Sequence, residues 1–171
     1  LICIVGKVTK IKKLEHVINV LESLEVKFKL IIAGFANTEY CKNFKEFIDT
    51  KHKIKDNIIT LDFVNYSEMN KIFNACDFGI WYKQPAITIQ QAMGTGLDII
   101  TPNNDTVDHL FNENFKNLHE FKNKDIESFS DKLDELLKKI NYNSVNRKYN
   151  SIKFSESFSM LKIINKFYLN K

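Results

Sequence analysis

Of the 25 basic residues in this 171-residue chain, only one, Arg147, is an arginine. Specific nucleic-acid recognition usually shows clustered arginines interleaved with aromatics, so the chain lacks that footprint. The net charge of +4 is a weak excess carried by lysine. It leaves phosphates on a small ligand, or an anionic membrane surface, as partners. No apolar run approaches the roughly 20 residues that a membrane span needs. The three cysteines, Cys3, Cys41 and Cys76, form neither a zinc spacing nor a CxxC pair, and read as buried small hydrophobes suited to a reducing cytoplasm. Four scattered histidines offer no metal spacing. The glycine pattern of a dinucleotide-binding turn is absent, as is a Walker lysine. No internal repeat or low-complexity linker divides the chain.

What remains is a core. Apolar residues make up 44% of the chain and 14 residues are Phe, enough for one folded domain. Leu1 opens directly into an apolar run ending at Val5, as expected of a buried parallel strand in a piece of something larger. From Lys13 the period changes: Leu14, Val17, Ile18, Leu21 and Leu24 recur at helical spacing. Alternation then continues. Strands are expected at residues 28–33 (stopped by Gly34), 58–61, 78–81 and 99–101 (broken by Pro102), with a weaker one near 116–119. Helices are expected from Thr38, from Ser67, at 87–94, at 125–140 and at 156–168. The polar stretch from Asn141 to Ser151 reads as a hinge or crossover. The pattern predicts an α/β fold, a Rossmann-like parallel sheet with helices on both faces.

Ligands of such sheets bind beyond the carboxyl ends of the strands. Two segments there carry chemistry. The first runs from Gly6, where the backbone turns sharply, through Lys7, Lys10, Lys12 and Lys13. Its ammonium groups suit a diphosphate, and charge alone serves a solvated basic loop equally well. The second runs from Pro85 to Gly96, where the backbone amides of Ala86, Ile87 and Thr88 would open a helix and face an anion.

These segments resemble, in order and interval, the C-terminal domain of group 1 (family 4) retaining glycosyltransferases of the two-domain GT-B fold. Ile4-Val5-Gly6-Lys7 is similar to that domain's opening strand. Lys12 or Lys13 falls at its donor-phosphate lysine, and residues 30–34, ending at Gly34, match its second strand. Residues 63–77, with Val64 in the first loop, resemble the segment that lines the nucleobase, and residues 89–97 resemble the donor-site helix. The resemblance implies one domain over residues 1–171, with 155–171 as a C-terminal crossover helix and an N-terminal acceptor domain outside this chain. It implies sugar transfer from a nucleotide-diphosphate sugar to an acceptor hydroxyl, with retention. The setting would be polysaccharide or lipopolysaccharide synthesis in the cytoplasm, with peripheral association at the inner face of the membrane allowed. The acceptor would be a glycan or lipid-linked glycan.

No cofactor or metal is implied. Lys7 and Lys12 would act catalytically on the leaving diphosphate. Gly6, Lys13, Gly34, Val64, Lys83, Gln84, Ala86, Ile87, Thr88 and Gln91 would bind the donor. Two glutamates of the family pattern are replaced: the second falls at Gln91, and the first at Lys83, or Gln84 if the alignment slips by one. Lys7 stands for the usual arginine and Asp98 for a common proline. These departures keep a degenerate, non-catalytic relative open as an alternative. A non-enzymatic α/β binding module of the response-regulator kind would need acidic strand ends, and the basic first loop counts against it.

Overall fold

The computed structural model describes residues 1–158 except 25, 84–86, 106, 112–114, 123–124 and 140–143. Six strands form one wholly parallel sheet: β1 Ile2–Val5, β2 Leu30–Phe35, β3 Ile58–Asp62, β4 Phe78–Ile80, β5 Asp98–Pro102 and β6 Leu118–Phe121. Among the described residues seven α-helices connect and cover them: α1 Leu14–Ser23, α2 Glu39–Asp49, α3 Tyr66–Ala75, α4 Thr88–Gly94, α5 Asp108–Phe111, α6 Ile126–Lys139 and α7 Ser144–Ser157. The strand order is β3-β2-β1-β4-β5-β6. Chain direction across the sheet therefore reverses at β1, between β1 and β4, which is the topological switch point of a doubly wound fold.

The two-residue period of a strand explains why β1 is apolar throughout. Ile2 and Ile4 enter one core with Val17, Ile18, Leu21, Phe44 and Phe129 from α1, α2 and α6. Cys3 and Val5 enter the other with Phe73, Ile89, Met93 and Leu110 from α3, α4 and α5. Cys3, Cys41 and Cys76 are all buried.

Helix starts follow their caps. The Thr38 hydroxyl accepts from the Cys41 amide at 3.2 Å, opening α2. α3 opens at Tyr66, one residue before the sequence expectation, because Asn65 and Glu68 form a reciprocal capping box with bonds of 3.0 and 2.9 Å.

Three expectations change. Gly34 does not stop β2: the strand runs to Phe35, with a bulge at Gly34. Gly34 has φ +119, and a Cβ there would lie 2.5 Å from the Gly6 carbonyl oxygen, so the glycine serves a close crossing of two backbones. Pro102 does not break β5 but ends it, paired with Phe121. The stretch from Asn141 is no hinge from Ser144 onward; it is α7. Arg147 anchors this helix by donating to the carbonyls of Phe73, Cys76 (2.8 Å) and Thr95 (3.2 Å) at the ends of α3 and α4. Ser151 adds a bond to the Gly94 carbonyl at 2.6 Å. The described helix ends at Ser157, and residues 159–171 of the expected crossover helix lie outside the described residues.

Candidate functional site

The site begins where the two central strands part. β1 and β4 pair only at Ile2↔Phe78 and Cys3↔Gly79. Beyond that, the chain after β4 follows β5, with the Trp81 amide donating to the Ile100 carbonyl at 2.9 Å. A crevice opens between Ile4-Val5 on one side and Ile80, Trp81, Tyr82 and Lys83 on the other, with free space of about 10 Å³, room for one water.

Lys12 lies in this crevice. A 3₁₀ turn over Lys10–Lys12 folds the first loop back, and Lys13 then takes a left-handed conformation, φ 49, that starts α1. The result separates two adjacent lysines: Lys12 is only 8% exposed, while Lys13 is exposed, as is Lys7. The Lys12 ammonium has no hydrogen-bond or ion-pair partner among the described residues, and no carboxylate lines its crevice. Burial pushes its pKa down to about 8. A desolvated, unpaired cation is unfavourable by itself and becomes favourable when an anion joins it.

The surrounding backbone is shaped by glycine. Gly6, φ +124, donates its amide to the Ala33 carbonyl at 3.0 Å, and the Val8 amide donates to the Gly34 carbonyl at 2.9 Å. The first loop is thus tied to the end of β2. On the β4 side, the Thr88 hydroxyl accepts from the Trp81 indole nitrogen at 3.1 Å and donates to the Val5 carbonyl at 3.1 Å. Tyr82 stacks on Phe121, and its hydroxyl meets His16 Nδ1 at 3.2 Å.

Further candidates lie around this centre. Gln91 sits on α4, and its side-chain carbonyl oxygen is buried with no hydrogen-bond partner. Lys83 is half-buried at the crevice, and Ile87 is 74% exposed just before α4. Val64 follows β3 and packs, half-buried, against the second core, whereas its neighbour Phe63 is exposed. Phe63, Asp62, Asn37, Lys42 and Lys45 border an open hollow of about 570 Å³ beyond β2 and β3. Gln84 and Ala86 lie outside the described residues. The structure therefore brings Lys12 and Lys83 to one crevice, bonds Thr88 to two residues that line it, Val5 and Trp81, sets Gly34 behind Gly6, and leaves Lys7 and Lys13 in solvent. The Trp81–Thr88–Val5 bridge was not anticipated. Its only sequence signal was position, since Trp81 and Val5 both fall at strand ends.

His109, the histidine closest to a strand-end loop, is exposed and contacts Gln90 at 3.4 Å. Among the described residues no three His, Cys, Asp or Glu side chains are grouped to hold a metal ion, and no helix is long and apolar enough to cross a membrane.

The family model described as "Glycosyl transferases group 1" matches residues 1–152. The chain belongs to the group 1 glycosyl transferases. Solved structures agree on the fold of this glycosyl transferase domain, a Rossmann-like α/β domain as found in one half of the GT-B fold. HepE of Anabaena, solved with UDP-glucose, superposes with a TM-score of 0.78 at 14% identity, over 99% of this chain and 47% of that one. S. aureus TarM, solved with UDP among its ligands, gives 0.76 at 17% identity, over 99% and 34%. The catalytic domain of cholesterol-α-glucosyltransferase from Helicobacter pylori gives 0.66 at 18% identity, over 91% and 94%. The glycosyl transferase chain thus spans about a third of TarM and about half of HepE. By sequence, no curated protein matches it.

Proposed function

We propose that this chain is the donor-binding half of a glycosyltransferase that moves a sugar from a nucleoside diphosphate sugar to an acceptor hydroxyl. The observation that carries the reading is Lys12: a buried ammonium without a partner, at the switch point where a doubly wound sheet takes its ligand. The diphosphate is the anion that this cation accommodates. Charge develops on the diphosphate as the bond to the sugar breaks, and a cation already in place stabilises it without reorganisation. Gly6 and Gly34 hold the first loop beside this cation, because a Cβ on Gly34 would strike the Gly6 carbonyl. Gln91 offers its unpaired carbonyl oxygen to ribose hydroxyls. Phe63 and Val64 flank the base, and Lys83 reaches the sugar end of the crevice. Lys7 and Lys13 contribute a local positive field, and the amides of Ile87 and Thr88 serve the phosphates. The reading needs no metal ion.

The ligands of HepE and TarM favour a uridine diphosphate donor. The family resemblance favours retention at the anomeric carbon and a role in polysaccharide or lipopolysaccharide assembly at the cytoplasmic side of a membrane. An acceptor-binding domain would close over the carboxyl edge of the sheet, where Ile11, Phe63 and Ile87 are exposed. Without that wall the chain binds nucleotide weakly and transfers nothing. Calorimetric titration with UDP, GDP and ADP tests the reading; no binding of any of them at millimolar concentration overturns it.

A second reading rests on Lys83 and Gln91, which stand where the resemblance places two glutamates. Under it the fold persists and transfer is lost. Sugar transfer by the unmutated full-length protein would exclude it, whereas transfer appearing only on Gln91→Glu would establish it.

A further inference from the structure

The crevice around Lys12 is bounded by two strands that have stopped pairing, and something must set their separation. Past Cys3 the Val5 carbonyl has no ladder partner on the β4 side. Past Gly79 the Trp81 indole reaches back across the opening. Thr88, on the helix that follows, joins them, accepting from the indole and donating to the carbonyl, each at 3.1 Å. Val5 is 2% exposed and Trp81 3%, so neither group has water as an alternative. Both also line the crevice that holds Lys12. We infer that Thr88 is a positioning residue: its hydroxyl pins β1, the end of β4 and α4 together, and so fixes the width and dryness of the crevice in which Lys12 meets its anion. The inference rests on the donor-site reading above.

The consequence for chemistry follows from what the hydroxyl excludes. Without it, an indole N–H and a carbonyl would be left unsatisfied in a buried place, which is costly. The crevice now has room for about one water. Widening to admit more water would satisfy both groups and hydrate Lys12. The lysine would then hold its proton to higher pH and grip a phosphate less firmly, because an ammonium that stays hydrated gains less from the anion. The other groups facing Lys12 are Tyr82 and Lys83 from the chain after β4, with His16 of α1 behind the Tyr82 hydroxyl. None of the crevice-lining residues is an acid. The hydroxyl of Thr88 is thus occupied by structure and is not itself a phosphate ligand.

The test compares the 171-residue chain with Thr88→Val, which keeps the shape and loses the hydroxyl, and Thr88→Ser, which keeps the hydroxyl. UDP binding is titrated calorimetrically across pH. Trp81 is the only tryptophan, so its emission reports the indole bond directly. The valine variant should bind UDP about tenfold more weakly, show a pH midpoint of binding moved upward, and emit further to the red as water reaches the indole; serine should restore binding to within about twofold. UDP affinity and midpoint unchanged in the valine variant, or no recovery with serine, overturns the positioning role. If the valine variant does not fold, Trp81→Phe removes one of the two bonds, and an unchanged midpoint there overturns it equally. Failure of the unmutated chain to bind UDP, GDP or ADP is a different result: it overturns the donor reading, and this inference with it.

Discussion

Two of the described cations, the half-buried Arg147 and the buried Lys12, are treated in opposite ways. Under α7, Arg147 spends its guanidinium on the carbonyls of Phe73, Cys76 and Thr95, at helix ends that lack backbone partners of their own. In the crevice between β1 and β4, Lys12 has no partner among the described residues and gives up part of its hold on its proton. Arg147 is a joint, complete as it stands. Lys12 is a socket that lacks its counterpart. A fold seldom keeps an unpaired buried charge unless something else supplies the opposite one. On the donor-site reading proposed above, the contrast separates structural from functional basicity in a chain where lysine is everywhere.

The comparison can be broken at either end. The largest effect should come from Arg147→Met, which strands several carbonyls and loosens α7: a stability loss of about 3 kcal/mol by thermal or chemical denaturation, with UDP affinity of the folded protein little changed. Lys12→Met should do the reverse. It should weaken UDP binding about thirtyfold by calorimetry, while stability at neutral pH holds or rises by about 1 kcal/mol, because a desolvated charge is gone. Third comes pH. In the unliganded chain Lys12 loses its proton near pH 8, whereas in the unfolded chain it keeps it to about 10.5. Between those values the unfolded state binds more protons, so stability rises with pH through that window. UDP affinity should fall over the same range, by at most about tenfold per pH unit. The smallest effect belongs to Lys7→Ala: an exposed charge, whose loss should change UDP affinity less than about threefold. A large effect at Lys7 and none at Lys12 would reverse the assignment.

How much of this was written in the sequence varies by region. Parallel strands and their helices were legible because each obeys its own period: β1 is apolar throughout since it is buried on both faces, and α1 shows its stripe at three and four. The bulge at Gly34 was not, since glycine marks a stop and a close backbone crossing alike, and only the position of Gly6 beside it tells which. α7 was hidden because a tertiary anchor, Arg147, holds it where a continuous apolar stripe would otherwise announce a helix. Within the site, Lys12 and Lys13 were equal candidates by spacing. The left-handed turn at Lys13 separates them, and it depends on the whole first loop folding back. The Thr88 bridge joins residues 83 positions apart, a relation that no local pattern encodes.

The strand order has one more consequence, for how the protein comes into being. β1 precedes the other five strands of the sheet in sequence yet lies near its centre, and its second neighbour, β4, arrives only with Phe78. A contact that distant in sequence is slow to form, because the intervening loop must be closed before the pairing rewards it. Strands β1 to β3 with α1 and α2 can assemble beforehand as a half-sheet. In that half-sheet Lys12 has no far wall and stays hydrated. Nucleotide-binding competence should therefore be acquired in the slowest folding phase, together with the burial of Trp81, and stopped-flow refolding followed by tryptophan emission in the presence of UDP should show the two appearing at one rate.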